Sequence, residues 1–117
     1  MHILVIVLKK EPLIKKITSL LIELGLFDAC ILEGEGVEEA AAQAIPLFSS
    51  LQDLFGGEYS TTKFILAPVP DLDTVREFLS LSRSEGIDFR EPGTGAVAAV
   101  PCSFFVSADQ DESPAAD

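Results

Sequence analysis

The sequence predicts an α+β domain in which a four-stranded antiparallel sheet carries two helices. Three observations lead to this prediction: four short apolar runs typical of strands, two amphipathic helical patterns between them, and their order along the chain. That order is strand, helix, strand, a long excursion, strand, helix, strand. A chain of 117 residues is close to the commonest domain size, so we expect one domain with one core.

The first part of the chain carries a strand, a helix and a second strand. Residues 3–8 are continuously apolar and rich in β-branched side chains, which predicts a strand buried in its sheet. After Pro12, apolar residues recur at helical spacing over residues 13–24, and Gly25 ends the pattern. Residues 26–33 are expected to form the second strand.

The excursion that follows, residues 37–58, is predicted to be a helical insert. Its first part favours a helix by propensity, and Pro46 interrupts it. An apolar stripe then follows: Leu47, Phe48, Leu51, Leu54 and Phe55. Such a stripe covers the end of the sheet or a neighbouring subunit, or it docks a partner protein through apolar anchors on one helix face.

The last part repeats the strand–helix–strand order. Residues 61–69 predict the third strand, and Asp71 or Asp73 can cap a helix that Gly86 ends. Residues 96–101 predict the fourth and last strand. Two split βαβ halves of this kind make a ferredoxin-like βαββαβ sandwich, which leaves one sheet face without helices. Because the strands are apolar on both sides, we expect another subunit to cover that face.

The composition changes sharply near the C-terminus. Residues 107–117 contain four acidic residues, no basic residue and almost no apolar surface, so we expect an acidic disordered tail. The predicted domain therefore spans residues 1–106.

Charge and composition argue against several classes of function. With 19 acidic and 8 basic residues, a net charge of -11 disfavours nucleic acid as a partner. The first apolar run is too short to cross a bilayer and lacks the flanks of a signal peptide, so we expect a cytoplasmic protein without membrane insertion. Cys30, Cys102 and His2 do not have the spacing of a metal site, and no nucleophile has an evident activating partner, so we predict no enzyme.

Two glycine-containing loops are the candidate ligand site. Gly34 and Gly36 follow the second strand, and Gly93, Thr94 and Gly95 precede the fourth. Such loops can turn backbone N–H groups toward a phosphate or another anion, although each is also compatible with a plain turn. Positive charge could come from Arg90, Lys9 and Lys10, whereas the simpler interpretation of the lysines is a solvated helix face.

The whole layout resembles the PII nitrogen-regulatory signalling proteins and, more closely, their divergent PII-like relatives. The resemblance covers about residues 2–105 and rests on the glycine loop after the second strand, the long excursion, and Pro92-Gly93-Thr94-Gly95 leading into the fourth strand. It implies a homotrimer with adenine nucleotides bound in clefts between subunits. The excursion would be the mobile T-loop, and the glycines matching residues 34, 36, 93 and 95 would line the cleft.

Two functions follow from the resemblance. The first is a homotrimeric regulator that senses an adenine nucleotide or a smaller anion and signals through residues 34–60, acting on an enzyme or a transporter. The alternative is a trimeric interaction module without nucleotide binding, because Val37 and Ala96 stand where the family has basic residues. A copper-tolerance trimer of the same fold is disfavoured, since matching metal ligands are missing.

Overall fold

The structure is a computed structural model that describes residues 1–44, 62–108 and 110–113. Its elements, in chain order, are β1 (His2–Leu8), α1 (Leu13–Glu23), β2 (Cys30–Gly34), α2 (Val37–Ala44), β3 (Thr62–Val69), α3 (Leu72–Ser84), β4 (Gly95–Pro101), β5 (Phe105–Ser107) and β6 (Gln110–Ser113).

The four main strands form one antiparallel sheet in the order β2-β3-β1-β4. In the centre of the sheet, Val5 of β1 lies opposite Leu66 of β3 and Ala98 of β4. The α+β class and the four-stranded antiparallel sheet predicted from the sequence are therefore confirmed. The strand order is compatible with a ferredoxin-like fold.

The core lies between one face of the sheet and the helices α1 and α3. Alternate residues of β1 point to this face, and Leu4, Ile6 and Leu8 are fully buried there. The helices contribute the buried side chains of Ile17, Leu20 and Leu21 from α1 and of Val75 and Phe78 from α3. The alternate residues of the strand thus pack against the apolar stripes of the two helices, as the sequence pattern predicts.

The opposite face of the sheet, which we call the open face, is apolar and only partly covered. Ile3, Val5 and Val7 of β1 are half-buried on it. Towards the sides of the sheet, Leu32 and Val100 are each 49% exposed. For the helices that the structure describes, this agrees with the expectation that one face of the sheet is left bare.

The predicted second strand starts four residues too early. The structure begins β2 at Cys30, whereas residues 26–29 belong to the connection after α1. The Leu26 amide donates to the Leu21 carbonyl at 2.8 Å, and the Gly25 amide donates to the Ile22 carbonyl at 2.9 Å. These bonds cap the helix and hold Leu26 against it, so this residue cannot join the sheet.

Pro68 lies inside β3, which has neighbours on both sides. Its partner on β1 is Ile3, but β2 pairs with β3 only as far as Leu66. At Pro68, β3 is therefore locally an edge strand. A residue without an N–H is tolerated at an edge, which explains how the predicted strand accommodates it.

The sequence predicts β4 as the last strand, but two short strands follow it. Strands β5 and β6 form their own antiparallel sheet, with Ser107 opposite Gln110. A strand therefore covers residues 110–113, where the sequence predicts a disordered acidic tail. Ladder pairing uses backbone groups and does not require the apolar side chains that this segment lacks.

The insert is described only at its beginning. Helix α2 covers the segment that favours a helix by propensity, with Glu38 and Glu39 in its first turn. The apolar stripe predicted between residues 47 and 55 lies outside the described residues. None of the described helices is long and apolar enough to cross a membrane.

Candidate functional site

Both predicted glycine loops lie at the same end of the four-stranded sheet. Strand β1 ends at Leu8, which lies opposite Gly95, the first residue of β4. Leu8 also lies opposite Lys63 near the start of β3, and Gly34 lies opposite Thr62. The antiparallel arrangement thus brings the end of β2 and the start of β4 to one end of the molecule.

The two loops nevertheless lie at opposite edges of the sheet. Gly34 belongs to the outer strand β2 and Gly95 to the outer strand β4, with β3 and β1 between them. Three strand spacings separate outer strands by about 14 Å. Within one chain the two loops therefore do not form a single small-ligand cradle.

Two of the glycines are explained by packing inside the chain. A β-carbon at Gly34 would overlap the ring of Phe64, which lies across it on the open face. At Gly95, with φ +139°, a β-carbon would overlap the carbonyl oxygen of Val7 on β1. Neither glycine needs a ligand to account for it.

The other two glycines leave space beside the backbone. At Gly36, a β-carbon would have its nearest neighbours at 3.8 Å on Thr62 and 3.9 Å on Glu39, which is ordinary contact. The Gly36 carbonyl accepts from the Ala40 amide at 3.0 Å, so this glycine begins α2. Gly93 has φ +83°, and its open side faces Lys10. These two positions remain candidates for a close backbone approach to a ligand.

The lysines after β1 lie beside the second glycine loop. The Lys9 amide donates to the Thr94 carbonyl at 3.2 Å, which ties the two segments together. A β-carbon at Gly93 would lie 3.7 Å from Cε of Lys10, so the lysine side chain passes over this glycine. Thr94 itself is buried. Lys10 forms no ion pair with any described residue.

Arg90, in contrast, is already paired. Its Nε and Nη2 atoms donate to the two carboxylate oxygens of Asp88, each at 3.1 Å, and its amide donates to Oδ1 at 2.9 Å. These bonds lower the pKa of Asp88 and raise the pKa of Arg90. The guanidinium is thus neutralised by a residue two positions earlier, an Asp-x-Arg pattern that the sequence already contains.

A second ion pair at this end joins Glu33 of β2 to Lys63 of β3. The hydrogen bond to Glu33 raises the pKa of Lys63, whose side chain is only 14% exposed. The sequence does not reveal this pair, because it depends on the register between two strands 30 residues apart.

The start of α1 lies next to Lys10. Pro12 caps this helix without a side-chain hydrogen bond, and its first turn has no acidic residue. The amides of Leu13 and Ile14 already donate to backbone carbonyls, each at 3.1 Å, and the exposed Glu11 directly precedes Pro12. The positive charge beside the Gly93 loop therefore comes from Lys10 rather than from the end of the helix. No cluster of His, Cys, Asp or Glu among the described residues could hold a metal ion.

A scan against protein-family models and a search of curated proteins both give no match for this chain. The interpretation of the site therefore depends on its geometry and on the sequence pattern.

Proposed function

We propose that this chain is a PII-like regulatory protein of the cytoplasm, non-enzymatic and homotrimeric. It would have a ferredoxin-like βαββαβ fold with the excursion after β2 as a helical insert. A small ligand, an adenine nucleotide or a smaller anion, binds between subunits. Binding repositions residues 34–60, which act on a partner enzyme or transporter.

The observation that carries the proposal is the position of the two glycine loops. Both lie at one end of the sheet, but on its two outer strands. An assembly that places β2 of one copy beside β4 of the next would bring Gly36 and Gly93 to the same cleft. A site divided between subunits also couples ligand binding to the insert that begins at α2.

The charges favour a ligand with few negative charges. Lys10 lies beside Gly93, whereas Asp88 neutralises Arg90 and Glu33 neutralises Lys63. A triphosphate requires several cationic groups, and these are fewer here. Bicarbonate, AMP or ADP therefore suits the described residues better than ATP.

Calorimetry and thermal unfolding with ATP, ADP, AMP and bicarbonate test the proposal. A ligand that binds the native state raises the Tm by mass action. The informative variants are Gly36→Ala, which the fold has space for, and Lys10→Gln. Lys15→Gln on α1 is the matched control, because it removes the same charge from an exposed position outside the site.

We expect at least one of these ligands to raise the Tm. Both site variants should lower the affinity for that ligand, whereas Lys15→Gln should leave the affinity unchanged. The absence of any shift at millimolar ligand would contradict the sensor function. Equal affinity in Gly36→Ala and Lys10→Gln would place the ligand elsewhere.

The alternative, a trimeric interaction module without nucleotide binding, is favoured by one observation. Gly34 and Gly95 are accounted for by Phe64 and Val7, so two of the four glycines would be present without any ligand. A stable trimer that binds none of the four ligands supports this alternative.

A further inference from the structure

A groove lies at the end of the sheet opposite to the glycine loops. It has a volume of about 310 Å³ and is formed by the connection from α1 to β2 and the connection from β3 to α3. Because it lies at the other end of the strands, it does not belong to the candidate ligand site. It faces solvent along one side, as a surface for a chain segment does.

The walls of the groove combine apolar and polar groups. Leu24, Leu26 and Phe27 line it from one side, and Pro68 and Pro70 line it from the other. The proline rings hold their wall in place, and the bonds that cap α1 hold Leu26. Phe27 is 75% exposed, the most exposed of the aromatic side chains described.

The rim of the groove is acidic. Asp28 and Glu77 lie among its lining residues, and neither forms an ion pair with a described residue. Asp73 nearby is paired with Arg76 at 2.7 Å. No Lys, Arg or His belongs to the described lining, so two carboxylates beside an exposed aromatic ring lack a cationic partner.

We propose that this groove binds a partner-protein segment in which an apolar side chain adjoins an Arg or Lys. The apolar side chain would enter between the leucines and the prolines. The cationic group would reach Asp28 and Glu77 and could also stack on the face of Phe27. The groove is thus complementary in both polarity and charge to this kind of segment.

A second copy of this chain fits the groove poorly. Its Arg90 and Lys63, which each adjoin a phenylalanine in the sequence, are already paired with Asp88 and Glu33. An acidic or purely apolar segment would likewise leave the two carboxylates unpaired. The proposed occupant is therefore a basic and apolar segment of another protein, and this inference does not depend on the ligand site.

The test uses the full chain and two synthetic peptides. One is acetyl-Gly-Ser-Leu-Arg-Phe-Arg-Ser-Gly-amide, and the other has Glu in place of both Arg residues. Backbone amide shifts of the labelled protein are followed by NMR during the titration. We expect saturable shifts at Gly25, Phe27 and Asp28 with the basic peptide, with a Kd below about 1 mM that rises with salt.

The informative variants are Asp28→Asn with Glu77→Gln, and separately Phe27→Ser. Their controls are Glu23→Gln with Glu85→Gln, which removes the same charge outside the groove, and Ile22→Ser at an apolar position that is 56% exposed. We expect each groove variant to lower the affinity for the basic peptide at least about tenfold, a loss of about 1.4 kcal/mol in binding free energy. The controls should bind it with the affinity of the wild type.

Several outcomes would overturn the proposal. They are unchanged amide shifts with the basic peptide, equal binding of the Glu peptide, and groove variants that bind the basic peptide like the controls. A change in the molecular mass of Phe27→Ser by light scattering would also overturn it, because the groove would then be a contact between copies of this chain.

Discussion

At Gly95, where β4 begins, the backbone passes so close to β1 that no side chain fits. A β-carbon there would lie 2.9 Å from the carbonyl carbon of Val7 and would overlap its oxygen. The φ of +139° is also rarely adopted by residues other than glycine. Packing between neighbouring strands, rather than a ligand, accounts for this glycine.

Gly95→Ala is therefore expected to lower the free energy of unfolding by about 3 kcal/mol or more, because the strands must separate locally. Gly86→Ala is the control. Gly86 has φ +82° and nothing within 4 Å of its β-carbon position, so only the backbone strain of about 1–2 kcal/mol applies. Urea unfolding of both variants measures the difference, and equal losses would contradict the steric explanation.

Asp71 caps α3, which decides between the two caps that the sequence allows. Its Oδ1 accepts from the amide and the hydroxyl of Thr74, each at 2.8 Å. The bond from the amide contributes most to lowering the pKa of Asp71 below its usual value of 3.8. The ionised form is thus the one that the folded state stabilises.

Asp71→Asn keeps an oxygen that can cap the helix but removes the titration, and Asp71→Ala removes both. Because the folded pKa is lowered, the charge of Asp71 stabilises the fold above pH 3.8, and this contribution is lost as the pH falls through the folded pKa. We expect the wild type to exceed Asp71→Asn in Tm at neutral pH and to lose that advantage in strong acid. Asp71→Ala should have the lowest Tm at neutral pH. A pH-independent difference from Asp71→Asn would contradict the role of the charge.

Helix α1 carries both buried and exposed apolar residues. Ile17 is fully buried against the sheet, whereas Ile22, on the same helix, is 56% exposed. The helical spacing of apolar residues predicted the helix, but Ile22 shows that an apolar residue in such a helix need not face the core.

Ile17→Ala is expected to cost about 2–5 kcal/mol of unfolding free energy, through lost burial and a cavity. Ile22→Ala should change it by less than about 0.5 kcal/mol, since it removes a largely solvated side chain. Chemical denaturation of the two variants compares the same substitution at two positions of one helix. Similar losses would mean that α1 packs on a different face.

At the scale of the whole molecule, the open face of the sheet is an apolar surface that the described helices leave partly exposed. Leu66 on β3 is 37% exposed there, and Val100, near the end of β4, is 49% exposed. A sheet face of this composition favours contact with another protein surface.

Leu66→Asp and Val100→Asp are expected to convert the proposed homotrimer into monomers, because each places a charge in the contact. Leu72→Asp on α3 is the control, since Leu72 is comparably exposed at 40% but lies on a helix outside the open face. Light scattering coupled to gel filtration gives the mass of each variant. A wild-type monomer, or an open-face variant that stays trimeric, would contradict the proposed assembly.

The candidate site was predictable only in part. The glycine loops and Lys10 are close in sequence to strand ends, so the topology alone brings Lys10 beside Gly93. The pairing of Glu33 with Lys63 requires the register of two strands. That Gly34 makes room for Phe64 depends on the same register, and the sequence pattern contains no direct signal of it.

Local patterns in the sequence were sufficient for the α+β class, for the helices α1 and α3 and for the existence of four main strands. Periodicity, caps and turn residues act over a few neighbouring positions, so they can be recognised in the sequence itself. Three features depend on contacts made after the chain has folded back. They are the start of β2 at Cys30, the pairing of residues 105–107 with 110–113, and the groove beside Phe27. Because backbone pairing and shared surfaces join distant segments, the folded molecule was needed to reveal them.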